Sequence, residues 1–252
     1  MKQIWRMYAD LVSQTLFVSY ADGSSVELPL YGHEAFRLIS YLWTKAGWAC
    51  RYTYNFTWMG RPVIQMPEDL VMVQDVIQRV RPDTIVETGV AHGGGSVFYA
   101  SLCEILGHGR VISIDVDIRP HNRKALEEHA LKKRITLIEG SSVARATVDQ
   151  VRKLIRPGEK VMVVLDSNHS AAHVMQELEF FCPLVSPGSY VVVADGNMDD
   201  LSDVPGGQSK WVEDNPKVAI HEFLKSHPEF EIDPEPSRLG VTYWPEGYLR
   251  RK

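Results

Sequence analysis

The stretch TIVETGVAHGGG, residues 84–95, decides the fold expected of this 252-residue chain. It begins with the short apolar run Thr84–Glu87, which predicts a buried strand, and the glycines that follow predict a tight turn. Glycine adopts backbone angles that other residues avoid and lets a ligand approach the main chain closely. Upstream, Arg81-Pro82 ends a helical pattern, because the residue before proline is disfavoured in a helix. We therefore predict a strand, a glycine-rich turn and a helix near Ser96–Leu106.

The same alternation of strand and helix repeats downstream of this turn. The apolar runs that predict further strands are Arg110–Asp115, Ile135–Ile138, Lys160–Asp166 and Ser189–Asp195. The helical segments between them are Arg119–Leu131, Val143–Leu154 and Ala171–Phe181. Runs that are apolar throughout are typical of parallel strands covered on both faces. The predicted fold is α/β, a doubly wound, mostly parallel Rossmann-like sheet.

Both ends of the chain add to this core. Residues 1–80 are predicted to form an N-terminal helical and aromatic-rich extension, with helical periodicity over His33–Lys45 and Glu68–Val80. Residues 81–252 are predicted to form the main domain. Its last elements are expected to be a helix near Pro216–Ser226 and two late strands, Phe230–Ile232 and Val241–Trp244.

Composition excludes several classes of partner. The formal net charge is −5, so no strongly basic surface for nucleic acid or an anionic membrane is expected. No uninterrupted apolar stretch is long enough to predict a membrane span. The three cysteines are widely separated and predict reduced thiols in a cytoplasmic protein. The sequence is also compatible with a homo-oligomer.

Acidic residues recur where the predicted strands end, at Glu87, Asp115, Asp166 and Asp195. In an open parallel sheet the ligand binds at the carboxyl ends of the strands, so these acids are predicted to line one site. Glu87 would repel a nucleotide phosphate and suits a cationic, amino-acid-bearing ligand. Asp115 can accept both hydrogen bonds from a ribose diol. Solvated acids without a ligand remain an alternative for either residue alone.

The segment Val164–His169 carries the most specific chemistry. Asp166 ends a strand and His169 follows three residues later, so a carboxylate is predicted to lie beside an imidazole that can carry a proton. Asp166 and Asp195, on adjacent strands, could share one Mg²⁺, an ion that typically needs only one or two carboxylates plus water and substrate oxygens. The polar segment 199–210 follows Asp195, and either a lid or an ordinary solvated loop fits it.

Two other classes of function are weighed against an enzyme that binds such a cationic, amino-acid-bearing ligand. A nucleotide-dependent oxidoreductase needs a phosphate-binding turn, but the glycine spacing here is neither GxGxxG nor a Walker loop. A non-catalytic protein that only binds the ligand remains the other alternative. Binding of NAD⁺ would identify the first alternative, and ligand binding without turnover would identify the second.

Seven motifs taken together resemble one known family, the cephalosporin hydroxylase / rhamnosyl O-methyltransferases. They are TWMGRPVIQMPEDL (57–70), ETGVAHGGG (87–95), VISIDVDI (111–118), RITLIEGSS (134–142), LDSNH (165–169), LVSPGSYVVVAD (184–195) and GYLRR (247–251). The resemblance implies a class I S-adenosylmethionine-dependent methyltransferase fold. It also implies Mg²⁺-assisted O-methylation of a sugar or another natural-product hydroxyl, with the extension capping the acceptor side.

The family pattern implies roles for the residues at these positions. The residues expected to bind the cofactor are Glu87, Gly89 and Gly93 toward the methionine end, Asp115 at the ribose, and Gly140, Ser141 and Ser142 beside the adenine. The metal ligands implied are Asp166 and Asp195, and the catalytic residues are Asp166 and His169, the latter as general base. The family often has Glu-Asp where this chain has Ala194-Asp195, so the expected metal site has one acidic ligand fewer.

Overall fold

A computed structural model describes residues 2–252, which contain twelve strands and seven α-helices. The strands are Ile4–Asp10 (β1), Thr15–Tyr20 (β2), Ser25–Pro29 (β3), Thr57–Trp58 (β4), Arg61–Pro62 (β5), Thr84–Thr88 (β6), Arg110–Asp115 (β7), Ile135–Glu139 (β8), Val161–Leu165 (β9), Tyr190–Val193 (β10), Phe230–Ile232 (β11) and Tyr248–Arg251 (β12). The helices are His33–Ala49 (α1), Pro67–Val80 (α2), Gly94–Leu106 (α3), Pro120–Glu127 (α4), Arg145–Leu154 (α5), Ala171–Phe181 (α6) and Pro216–Ser226 (α7). Within residues 2–252, none of these helices has the length and apolar character that crossing a bilayer requires.

The central sheet has seven strands in the order β11-β12-β10-β9-β6-β7-β8. The five strands from β10 to β8 run parallel, and β12 lies antiparallel between β10 and β11. Strands β6, β9 and β10 are buried along their whole length, as their unbroken apolar sequences predict. The predicted doubly wound, mostly parallel Rossmann-like sheet is therefore confirmed.

Helices cover both faces of this sheet. One apolar core contains residues of α2, α3 and α4, such as Val73, Val97 and Leu126. The core on the other face contains residues of α5, α6 and α7, such as Leu178 and Ile220. Helix α2 thus packs against the central sheet, although its residues belong to the extension predicted over residues 1–80.

The extension begins with strands that the sequence-based prediction of a helical extension did not include. Strands β1, β2 and β3 form a three-stranded antiparallel sheet. Leu16 and Val18 of β2 are buried against Leu38 of α1, whereas Phe17 between them is not part of this core. This alternation, with Asp22-Gly23 at the following turn, is the sequence signal of a hairpin.

The late strand predicted over Val241–Trp244 is wrong, whereas Phe230–Ile232 is confirmed as β11. Buried Asp69 of α2 accepts hydrogen bonds from the Thr242 hydroxyl and, at 2.9 Å, from the Tyr243 N–H. The backbone of this segment is therefore bound to a helix and not to a neighbouring strand. Pro245 has no N–H to donate to a ladder, and the last strand forms only at Tyr248.

Candidate active site

The carboxyl ends of four adjacent parallel strands bring the predicted acids to one edge of the sheet. Thr88 of β6 pairs with Leu165 of β9, and Leu165 pairs with Val193 of β10. The residues that follow these strand ends, Asp166 and Asp195, therefore leave the sheet side by side. Asp115 ends β7 on the other side of β6.

Glu87 lies inside the protein beneath the glycine-rich turn, with only 3% of its surface exposed. Its Oε2 accepts hydrogen bonds from Ser96 Oγ at 2.6 Å and from Ser113 Oγ at 2.8 Å. Burial raises the pKa of Glu87 from 4.5 to about 7, against these two hydrogen bonds, which lower it. A buried carboxyl with this pKa can meet a cationic ligand as an anion or remain neutral without one.

Two glycines of the turn have separate structural reasons for their identity. Gly89 has a φ of +92°, and a β-carbon there would collide with the carbonyl oxygen of Asp166. Gly93 has a φ of +83°, and a β-carbon would lie 2.7 Å from the Leu126 side chain. Gly89 therefore faces the predicted site, whereas Gly93 allows α3 to begin close to α4.

Asp115 holds the glycine-rich turn in addition to its predicted contact with ribose. Its Oδ2 accepts the N–H groups of Val90 at 2.8 Å and Ala91 at 3.0 Å, and its Oδ1 accepts the Asp117 N–H at 3.1 Å. The N–H of Gly140 donates to the Asp115 carbonyl at 2.8 Å. The 140–142 turn, with half-buried Ser141 and buried Ser142, is thus joined to the same edge.

Asp166, His169 and Asp195 converge, with one potential ligand atom from each lying within 4.8 Å of the others. His169 Nε2 is 3.3 Å from Asp195 Oδ2 and 4.0 Å from Asp166 Oδ1. Burial and the charges of Asp195 and Glu87 raise the pKa of Asp166 well above its usual range. Two carboxylates so close together are costly without a cation between them.

Ala194 lies in the core and offers the cluster no ligand atom. It is fully buried in the apolar core that also contains Trp244 and Tyr248, and its N–H donates to the Leu165 carbonyl at 2.9 Å. The next residue, Asp195, turns out of the core with a φ of +56°. The expectation that the metal site has one acidic ligand fewer at Ala194 stays a prediction.

Gln65 is a site residue that the sequence analysis did not identify. It lies in the turn before α2, is buried, and donates from Nε2 to Asp166 Oδ2 at 2.5 Å. A glutamine among apolar residues has no distinctive spacing, so only the packing of α2 against the sheet shows that it reaches Asp166.

A cavity of about 490 Å³ opens beside Asp195, between the extension and the sheet edge. Trp48 and Tyr54 line it together with Arg51 and Tyr243. The other aromatic residues of the 48–58 segment pack elsewhere, as Trp58 does against Phe98. Trp211, the residue after the segment 199–210 predicted as a lid or loop, packs edge to face against Trp48, with 5.7 Å between ring centroids.

The pKa of Glu87 predicts a pH-dependent stability. The folded state binds the proton of the Glu87 carboxyl more tightly than the unfolded state does. The protonated carboxyl therefore stabilises the fold fully below about pH 4.5, and this stabilisation is lost as the pH rises through about 7. As the pH rises from 5 to 8, the free energy of unfolding of the cofactor-free protein should fall by about 2 kcal/mol more than that of the Glu87→Gln variant does. Urea denaturation at both pH values measures this difference. The Glu128→Gln variant, changed at an exposed site, should lose stability with pH as the unmodified protein does. A difference in free energy of unfolding between Glu87→Gln and the unmodified protein that stays the same at both pH values would contradict the prediction.

Comparison with known proteins identifies the family of the chain. The family model described as Rhamnosyl O-methyltransferase/CmcI matches residues 50–252. A rhamnosyl O-methyltransferase of Mycobacterium leprae is 30% identical over 201 residues, which cover 78% of this chain and 83% of the relative. One of Mycobacterium bovis is 29% identical, covering 77% of this chain and 78% of the relative.

Solved structures agree on the fold. The apo structure of CmcI-N160 superposes with a TM-score of 0.58 at 21% identity, covering 79% of this chain and 76% of the other. A structure of CmcI-D160 with Mg and SAM has the same TM-score and identity, covering 79% and 77%. Because the family model covers most of the chain, the predicted assignment is confirmed: the chain belongs to the Rhamnosyl O-methyltransferase/CmcI family of S-adenosylmethionine-dependent O-methyltransferases.

Proposed function

We propose that this chain transfers the methyl group of S-adenosylmethionine to a hydroxyl of a sugar or a sugar-bearing natural product, assisted by Mg²⁺. The convergence of Asp166, His169 and Asp195 carries the proposal, since it places a proton acceptor between two carboxylates. The relatives from Mycobacterium, described as rhamnosyl O-methyltransferases, support a sugar as the acceptor.

The donor set fits a divalent cation. Among residues 2–252, no lysine or arginine lies within ion-pair distance of Asp166 or Asp195, and the unprotonated His169 brings no positive charge to them. Mg²⁺ prefers oxygen ligands, whereas imidazole suits transition metals, so Asp166 and Asp195 would hold the ion and His169 would stay free. When bound there, Mg²⁺ lowers the pKa of a hydroxyl that it contacts.

The remaining chemistry belongs to residues of the chain. The acceptor oxygen attacks the methyl carbon, the carbon–sulfur bond breaks, and its electron pair stays on sulfur. The hydroxyl proton passes to Nε2 of His169, which Asp195 at 3.3 Å stabilises once it is charged. Glu87 and the glycine-rich turn would hold the methionine end of the cofactor, Asp115 its ribose and the 140–142 turn its adenine.

The cavity beside Asp195 suits a sugar. Its volume of about 490 Å³ accommodates one or two rings. Trp48 and Tyr54 offer apolar faces on which the C–H face of a sugar can stack, and Arg51 offers hydrogen-bond donors for its oxygens. Because Asp195 lies in the cavity wall, an acceptor bound there has its hydroxyl close to the proposed metal and base.

Methyl transfer to a glycoside tests the proposal directly. Purified protein supplied with S-adenosylmethionine labelled on its methyl group, Mg²⁺ and a panel of rhamnosides, other glycosides and catechol should label a glycoside. Chelation should abolish the labelling and added Mg²⁺ should restore it, and Asp166→Asn should reduce turnover by about 100-fold or more. Asp149→Asn, at an exposed acid of α5, should leave turnover unchanged. Full turnover after chelation of Mg²⁺ would contradict the role of the metal. Labelling of catechol alone would contradict a sugar as the acceptor.

A second experiment distinguishes whether His169 acts as a base or as a metal ligand. His169→Ala should lower kcat by about 100-fold or more, since the lost interaction belongs to the transition state. Its affinity for Mn²⁺, used as a probe by electron paramagnetic resonance, and for S-adenosylhomocysteine should stay within about twofold. A parallel loss of Mn²⁺ affinity would make His169 a ligand. The exposed His121→Ala is the control.

Tyr54 tests the location of the acceptor. It is 61% exposed and lines the cavity, so Tyr54→Ala should not disturb folding. Loss of its stacking face should raise the KM for the glycoside by about tenfold, with the cofactor affinity unchanged. Tyr31→Ala removes another exposed tyrosine that does not line this cavity and should change neither value. An unchanged KM in Tyr54→Ala would place the acceptor elsewhere.

A further inference from the structure

One motif of the sequence, TWMGRPVIQMPEDL (57–70), carries polar side chains that reach three different parts of the site. The motif forms β4 and β5, the turn after them and the first turn of α2. Arg61, Gln65 and Asp69 each donate to or accept from a residue that is distant in sequence, 31, 101 and 173 positions away respectively. The motif therefore does more than begin a helix.

Arg61 holds the glycine-rich turn. Its Nε donates to the His92 carbonyl at 2.9 Å, and one terminal nitrogen donates to the same carbonyl at 2.5 Å and to Asn122 Oδ1 at 2.7 Å. Asn122 is buried near the start of α4, and its Nδ2 donates to the Ala91 carbonyl at 2.8 Å. Two successive carbonyls of the turn are thus fixed by Arg61 and by the asparagine that it orients.

The conformation of Ala91 shows what these hydrogen bonds maintain. Its φ is +46°, a left-handed conformation that a residue with a β-carbon adopts only at an energetic cost. The Ala91 N–H donates to Asp115 Oδ2 at 3.0 Å and its carbonyl accepts from Asn122, so the residue is held on both sides. Without Arg61 and Asn122 the turn is free to relax from this shape.

Gln65 and Asp69 act on two other parts of the site. The amide of Gln65 donates to Asp166 Oδ2, so the other oxygen of this carboxylate, Oδ1, is the one that lies 4.0 Å from His169 Nε2. Asp69 accepts the Tyr243 N–H at 2.9 Å, and Tyr243 lines the proposed acceptor cavity. Neither side chain lies on a strand end where the acids of the site are found.

We infer that the 57–70 segment positions the three binding sites of the proposed reaction. Arg61 shapes the turn for the cofactor, Gln65 orients Asp166 for the metal, and Asp69 fixes the wall of the acceptor cavity. All three are positioning residues, and each acts through a different partner. Removing each one should therefore weaken the binding of a different ligand. The inference rests on the proposed function, which supplies the cofactor, the metal and the acceptor.

Three variants and three measurements test this assignment. Arg61→Met should weaken calorimetric binding of S-adenosylhomocysteine by about tenfold, because the free turn is no longer pre-organised. Gln65→Met should lower the affinity for Mn²⁺, measured by electron paramagnetic resonance, by about tenfold or more. Asp69→Asn should raise the KM for the glycoside by about fivefold. Each variant should keep the two other quantities within about twofold, since the three partners are separate.

A second substitution distinguishes positioning from general support of the fold. Adding Ala91→Gly to Arg61→Met should recover most of the affinity for S-adenosylhomocysteine, because glycine adopts the left-handed conformation without the cost. Gln78→Met, at an exposed glutamine of α2, is the matched control for Gln65→Met and should change none of the three quantities. Thermal unfolding checks that every variant is folded.

Several outcomes would overturn the inference. One is an unchanged affinity for S-adenosylhomocysteine in Arg61→Met, and another is a parallel loss of all three quantities in every variant. Binding of S-adenosylhomocysteine and Mn²⁺ without methyl transfer to any glycoside would contradict the proposed function alone, since the variants of Arg61 and Gln65 are judged by binding. No binding of S-adenosylhomocysteine by the unmodified protein would overturn both.

Discussion

The main chain of Gly89 lies directly against the carbonyl group of Asp166, and the geometry of the whole site depends on this contact. The N–H of Asp166 donates to the Thr88 carbonyl at 3.0 Å, so β6 and β9 stay paired up to the point where their loops diverge. A β-carbon at residue 89 would push these loops apart. The turn predicted to bind the cofactor and the segment that carries Asp166 and His169 are consequently held at one fixed separation.

Concentrating acids at this edge has an electrostatic cost. Burial raises the pKa of both Glu87 and Asp69 to about 7, and burial together with the charges of Asp195 and Glu87 raises the pKa of Asp166 well above its usual range. Serine and threonine hydroxyls and main-chain N–H groups offset part of this cost, but they bring no positive charge. A sulfonium cofactor and a divalent cation would both supply positive charge at this edge, so binding and charge compensation would reinforce each other.

The extension lines the cavity beside Asp195 through α1 and the segment after it. Lys45 of α1 forms an ion pair of 2.6 Å with Asp203, and Trp48 packs against Trp211. Asp69 fixes the Thr242–Tyr243 segment at the same side, which brings Tyr243 to the cavity. Three distant stretches of sequence thus meet around one cavity, although they share no sequence motif.

The sequence by itself determined the parallel sheet, because strands covered on both faces must be apolar throughout and this pattern can be read locally. It also determined that Glu87, Asp115, Asp166 and Asp195 would share an edge, since parallel strands all end on one side. Only the tertiary structure decided that Gln65 meets Asp166, that Ala194 faces the core and that Arg61 meets the His92 carbonyl. Such contacts depend on how helices and loops pack across the sheet, and no local period in the sequence encodes the side-chain directions that result.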